Sequence, residues 1–138
     1  MQLNQTTDYA VRIVVFLSRK KDFVSSNEIS KETGVTQNYT REILRTLTSK
    51  KLIKIKRGVK GGYKLNRSPE EMSLYDIFAA MEKSIKINPC LEHEGSCTLY
   101  GDDGCHVKRY YTLLQQEFEE KLKCMTIAKL EAFKDDEG

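Results

Sequence analysis

Apolar residues recur along this chain with two different periods, and the switch between them outlines a fold. From Asp8 to Arg19, Ala10, Val11, Ile13, Val14, Val15, Phe16 and Leu17 predict a helix buried on most sides, which Lys20, Lys21 and Asp22 end. Ser25 followed three residues later by Glu28 has the pattern of a capping box, each side chain satisfying a free backbone N–H at a helix start. The short helix it opens runs to about Glu32, and Thr33-Gly34 breaks it, because Gly34 can take the positive φ of a helix-ending turn. A third helix is predicted from Thr36 or Gln37 to about Lys50, with Ile43, Leu44 and Leu47 as its buried stripe and Tyr39 or Thr40 extending it one turn back. The period then falls to two. Ile53 and Ile55 alternate with Lys54 and Lys56, GVKGG turns the chain, and YKLNR resumes the strand. Two helices joined by a glycine-containing turn and followed by a hairpin make a winged helix-turn-helix.

Ser68-Pro69 marks a junction, after which Ser73 caps a helix carrying Leu74, Ile77, Phe78 and Met81, and Ile85 and Ile87 precede Pro89. From His106 to Met125, Val107, Tyr110, Tyr111, Leu114, Phe118, Leu122 and Met125 step by threes and fours, one stripe on a helix of roughly 30 Å. So small a domain cannot cover that length, so the helix is expected to pair with its counterpart in a homodimer, with Tyr110 and Tyr111 in the interface. The alternative is that it folds back on its own winged helix. A last helix, beginning near Thr126 with Ile127 and Leu130, is expected to pack over the first. The predicted fold is mainly α with a small β-hairpin: a winged helix-turn-helix DNA-binding domain over residues 1–67, and a cysteine-loop sensor and dimerisation region with a long C-terminal helix over 68–138.

Charge sharpens this division. The net charge is only +3, yet residues 1–70 hold fifteen Lys and Arg against six Asp and Glu, and residues 71–138 hold eight against fourteen. Between Arg41 and Lys64 there are nine basic residues and one acidic residue, Glu42. Such a stretch can be a merely solvated face, but here it coincides with the helix-turn-helix and the hairpin, and the three together point to double-stranded DNA. The candidate contacts are Thr36, Gln37, Asn38, Tyr39 and Arg41, which can bond to base edges or phosphates, and Arg57, Lys60 and Lys64 at or near the hairpin tip. A thin basic ribbon suits a minor groove, where negative potential is concentrated.

The chain is 39% hydrophobic and 31% charged, and no run approaches the ~20 apolar residues of a membrane helix. The opening MQLNQTTDYAVR lacks the basic and apolar regions of a signal peptide, so a cytoplasmic protein without membrane contact is expected. No Ser/His/Asp set, phosphate-binding glycine loop or CxxC motif is present, and there are two histidines, which argues against an enzyme.

Cys90, Cys97 and Cys105 fall within sixteen residues, among Pro89, Gly95, Gly101 and Gly104. Disulfides are rare in a reducing compartment, so the cluster points to metal or redox chemistry. Thiolates are soft ligands that suit an iron–sulfur cluster or zinc, and thiol redox switching is the alternative. Cys124 reads as a small buried hydrophobe. Asp8, like Thr6 and Thr7, is also a good helix cap.

The opening TDYA, the wing RGVKGGYKL, the cysteine loop and the late TIAKL resemble the IscR/NsrR/CymR family of bacterial winged-helix repressors, over nearly the whole chain. The resemblance implies a homodimer on a palindromic operator, with long C-terminal helices crossing at its interface. In the sensing members it implies an iron–sulfur cluster, usually 2Fe–2S and in some 4Fe–4S, on three loop cysteines that match Cys90, Cys97 and Cys105. Such clusters are often lost from protein purified in air. The spacing here, C-x6-C-x7-C, is longer than in many cluster-binding members. For a fourth ligand the resemblance offers an acidic residue near the partner's N-terminus, matching Asp8, or a histidine after the third cysteine, for which His106 is adjacent but not at the usual offset. The minor-groove arginine matches Arg57, and the start of the recognition helix matches Thr36 to Arg41. The expected function is a transcriptional repressor whose operator binding responds to a cluster or redox state; the alternative is a cluster-free thiol-redox or zinc-binding regulator of the same family.

Overall fold

The first helix begins three residues before its apolar pattern predicts. In the computed structural model, which describes residues 3–92 and 105–133, α1 spans Gln5–Ser18. Asn4 caps it, its side chain accepting the Thr6 N–H at 2.8 Å. Asp8 is therefore not a cap; its carboxylate sits in the first turn, 3.2 Å from Arg12. Thr7 is fully buried and its hydroxyl donates to the Glu82 carboxylate. The buried face is Ala10, Ile13, Val14 and Leu17, while Val11, Val15 and Phe16 are half-buried, so α1 is covered less completely than its composition suggests.

Helix α2 (Ser26–Thr33) is capped by Ser25, which accepts the Glu28 N–H, and ends at Gly34 with φ +76°. After a turn of three residues, α3 (Gln37–Ser49) starts on the Thr36 cap. Thr40, not Tyr39, extends its buried stripe. Strands β1 (Ile53–Lys56) and β2 (Gly62–Leu65) form the antiparallel wing, with Ile53 opposite Leu65 and Ile55 opposite Tyr63. Val24 bonds both ways with Tyr63, at 2.9 and 2.8 Å, and fastens the wing to the body. Gly62, at φ +149°, lies so close to the Val24 carbonyl that a Cβ would collide with it. Ile53 is buried as expected, but Ile55, on the same face, is exposed and lines a cleft beside α3.

A complete capping box, Ser73 with Asp76, opens α4 (Leu74–Met81). One 3-10 turn covers Pro89–Leu91, and α5 (His106–Cys124) and α6 (Ile127–Ala132) follow. The main core joins Ile13, Leu17, Ile29, Ile43, Leu44, Leu47 and Ile53 to Met72, Ile77 and Ile127. Each fully buried aliphatic contributes about 1.5–3 kcal/mol, whereas a surface ion pair such as Arg12–Asp8 contributes about 0–1, so packing holds the elements together. Helix α6 packs on α1, as predicted, with Arg19 and Glu131 at 2.7 Å.

Helix α5 is anchored at one end. Leu122 and Phe118 pack with Phe78 and Ile85 in a second cluster, while Val107, Tyr110, Leu113 and Leu114 are exposed, Tyr110 by 60%. Folding back on the same chain thus accounts for the C-terminal part of the stripe and leaves the N-terminal part uncovered. Cys124 is exposed, with its sulfur 3.7 Å from Glu120, which corrects its reading as a buried hydrophobe.

Candidate nucleic-acid interface and sensor site

The first turn of α3 is positioned from two sides. The Thr36 hydroxyl accepts the Tyr39 N–H at 3.4 Å, and the Gln37 amide donates to the Ser26 hydroxyl at 3.1 Å, tying α3 to α2. Asn38 and Arg41 are exposed, and Tyr39 is 44% exposed while its ring meets that of Tyr9. Arg41 and Arg45, one turn apart on α3, face Arg57 of the wing across a cleft of about 530 Å³, which Ile55, Tyr63 and the hydroxyl-bearing Ser26, Thr48 and Ser49 also line. Among the described residues no carboxylate pairs with Arg41, Arg45 or Arg57. Three unpaired guanidinium groups around one cleft make a local positive potential that a polyanion can neutralise.

Of the residues lining this cleft, Arg41 and Arg57 are among the candidates read from the sequence; Arg45 and the hydroxyls are not. The i, i+4 spacing from Arg41 was the available signal; the wing's approach to α3 was not legible. Lys60 lies exposed in the wing turn. Lys64 sits opposite Lys54, so it lies toward the base of the ribbon and not at its tip. Its ammonium is 5.8 Å from the Phe23 ring centroid, beside that of Lys56 at 5.6 Å, on the ribbon face opposite Ile55 and Tyr63.

Of the loop cysteines, Cys90 is half-buried in the 3-10 turn, where its sulfur accepts from the Asn88 side-chain amide at 3.1 Å. Cys105 is the N-cap of α5, its sulfur accepting the Lys108 N–H at 3.3 Å. Cys97 and His93 lie outside the described residues. His106 is the exposed first residue of α5. Among the described residues of one chain, Asp8, Cys90, Cys105 and His106 do not gather three at a time into a metal-sized group. Cys90 and Cys105 supply two soft sulfur donors among the described residues. Both described loop sulfurs accept a hydrogen bond from an N–H donor.

The model of the Rrf2 family, described as an iron-dependent transcriptional regulator, matches residues 3–132. This chain belongs to the Rrf2 family. It is a DNA-binding transcriptional regulator and not an enzyme. This Rrf2 protein is similar to the Synechocystis sp. protein slr0846, 30% identical over 94% of this chain and 87% of that one. It is 28% identical to the transcriptional regulator IscR of Sodalis glossinidius, over 94% of this chain and 78% of that one. Its winged-helix fold is that of the solved structure of CymR, the global cysteine regulator of B. subtilis, with a TM-score of 0.78 and 21% identity over 98% and 99% of the two chains. Among the described residues no helix is long and apolar enough to cross a membrane.

A second cleft in the Rrf2 protein, of about 540 Å³, separates the 3-10 turn from α5 and is lined by Cys90, Leu91, Lys86, Lys108, Gln115 and Glu119 among others. Burial pushes the Glu119 carboxyl up, but hydrogen bonds from Gln115 and Lys86 and the charges of Lys86 and Lys123 outweigh it and hold the group below its ordinary range.

Proposed function

We propose that this Rrf2 protein is a homodimeric repressor of a palindromic operator whose grip responds to an iron–sulfur cluster, 2Fe–2S, on Cys90, Cys97 and Cys105. The observation that carries the DNA half is the cleft between recognition helix and wing, with Arg41, Arg45 and Arg57 around it and no carboxylate among the described residues to neutralise them. In this reading residues 1–67 form the DNA-binding domain. Thr36, Gln37, Asn38, Tyr39 and Arg41 face the major groove, Arg57 enters the minor groove, and Lys60 and Lys64 neutralise phosphates. The exposed stripe of Val107, Tyr110, Leu113 and Leu114 supports pairing of α5 across a two-fold axis. That axis sets two recognition helices about one DNA turn, ~34 Å, apart.

Residues 68–138 form the sensor and dimerisation region in this reading. The family's iron dependence and the thiol donors Cys90 and Cys105 support it. Asp8, contributed across the dimer, is the favoured fourth ligand, with His106 second. A bound cluster would supply a centre sensitive to oxidants and nitric oxide. Engagement of Asp8 there would take its carboxylate from Arg12, which now holds it at 3.2 Å.

The test is anaerobic purification with iron and sulfide analysis, followed by operator titration across salt, oxidant and nitric oxide. The expected protein is brown, contains iron and sulfide, and loses both in Cys97→Ser. Its operator affinity falls steeply with salt and changes when the cluster is destroyed. Zinc without sulfide, or an affinity indifferent to cluster loss, rejects the sensing half. Salt-independent DNA binding rejects the DNA half.

A further inference from the structure

Gln115 reverses the pattern of its helix. It is polar yet only 4% exposed, while its neighbours Leu113 and Leu114 face outward. Its side-chain amide uses both N–H groups and its carbonyl oxygen. Oε1 accepts the Ile87 N–H at 2.8 Å; Nε2 donates to the Ile85 carbonyl at 2.9 Å and to the Glu119 carboxylate at 2.9 Å. Glu119 also receives the Lys86 ammonium at 3.3 Å. One amide thus holds residues 85–87 much as a neighbouring β-strand would, offering an acceptor and a donor to residues two apart.

The position of this clamp gives it a role. Asn88 follows at once and donates to the Cys90 sulfur. At the other end of the loop, Cys105 caps α5 itself. Both described loop thiols are therefore referenced to one helix, Cys105 through the cap and Cys90 through Gln115. That helix also bears the exposed apolar stripe. A buried amide is costly to leave with its partners missing, so the clamp is either closed or open and not half-made.

We infer that Gln115 is a positioning residue that keeps Cys90 in register with α5 and thereby passes the state of the cysteine loop to the dimer helix. The inference rests on the sensing reading above. With the clamp closed, a shift at Cys90 moves residues 85–88 and α5 together. With it open, the same shift is absorbed in residues 85–88 and the recognition helices do not feel it.

Gln115→Leu keeps similar bulk and removes all three hydrogen bonds, and Gln115→Asn keeps the amide one methylene short of its partners. The first readout needs no metal: the rate at which iodoacetamide alkylates Cys90 in reduced, cluster-free protein, mapped by mass spectrometry. We expect Gln115→Leu to raise it about tenfold and Gln115→Asn less, as the segment opens more often. The second readout is the ratio of operator affinities of the cluster-loaded and cluster-free forms, which we expect to fall toward one in Gln115→Leu with the iron content retained. An unchanged alkylation rate, or a faster one with the wild-type ratio intact, overturns the inference. A wild-type ratio of one instead overturns the sensing reading, and the role of Gln115 with it. Should Gln115→Leu fail to fold, Gln115→Asn carries the same two tests.

Discussion

The ring of Tyr39, on the first turn of the recognition helix, meets that of Tyr9 on α1 edge to face, with centroids 5.9 Å apart and planes at 72°. Tyr9 is itself held in place. Its hydroxyl accepts from the Gln5 side chain at 2.8 Å, and the Arg12 guanidinium lies 5.6 Å from its ring centroid. Arg12 in turn pairs with Asp8. The first turn of α3 is therefore braced by the α1 turn that carries Asp8, through contacts of the kind worth about 0.5–1.5 kcal/mol each.

Removing the brace should weaken DNA binding without removing a DNA contact. Tyr9→Leu is expected to lower operator affinity by about 2- to 10-fold, the loss of one aromatic pair. The dependence of affinity on salt should stay as in the wild type, since no phosphate contact is lost. Fluorescence anisotropy at several salt concentrations measures both, and an unchanged affinity would show that the Tyr9–Tyr39 contact does not position α3.

The arginine cleft makes a different prediction. Arg45→Ala should weaken binding about equally on operator and unrelated DNA, and should reduce the slope of log affinity against log salt by about 0.9, the signature of one lost phosphate contact. Arg57→Ala should do the same and also cost affinity at the base steps under the wing. A full wild-type slope in Arg45→Ala would remove the cleft from the interface.

These arginines show where sequence reading stops. The caps Ser25 and Thr36, the left-handed Gly34 and the stripe of Ile43, Leu44 and Leu47 act within a few residues, so the helix-turn-helix was legible. The wing was legible from its period of two. The start of α1 was not, because Asn4, Thr6, Thr7 and Asp8 are all good caps and only packing chooses among them. Ile55 was misplaced because a strand's alternation does not say whether the face it defines meets the core or an open cleft. Gln115 was invisible because a buried polar residue gives no periodic signal; only the backbone of residues 85–87 makes its burial tolerable. Cys90 and Cys105 were legible as thiols in a loop, but not as a turn residue and a helix cap, and Cys97 lies outside the described residues.

The Glu119 carboxylate predicts an acid sensitivity. Its folded-state value lies below the ordinary 4.5, so its contribution to stability is complete above that value and is lost as pH falls through the folded value. Urea midpoints should therefore show a contribution that is flat from about pH 7 to 5 and declines only below ordinary carboxylate values. In Glu119→Gln part of that decline should disappear, because a neutral amide has no proton to take up. An identical acid decline in both proteins would show that Glu119 contributes nothing to it.

The uncovered half of α5 predicts the assembly. Val107, Tyr110 and Leu114 recur at helical spacing, and the chain's own core reaches only as far along α5 as Phe118 and Leu122. Two such stripes crossing at a two-fold axis would cover each other, since in an isologous contact the same patch serves both sides. A glutamate placed in that contact must be desolvated without a partner, at a cost of several kcal/mol. Leu114→Glu is therefore expected to sediment as a monomer at concentrations where the wild type sediments as a dimer. Its helical circular dichroism should be retained, because Leu114 is no part of the chain's own core. Operator affinity should fall sharply in the same variant, as a monomer holds one half-site in place of two. A wild-type protein that sediments as a monomer, or a Leu114→Glu variant that still dimerises, would place the interface elsewhere.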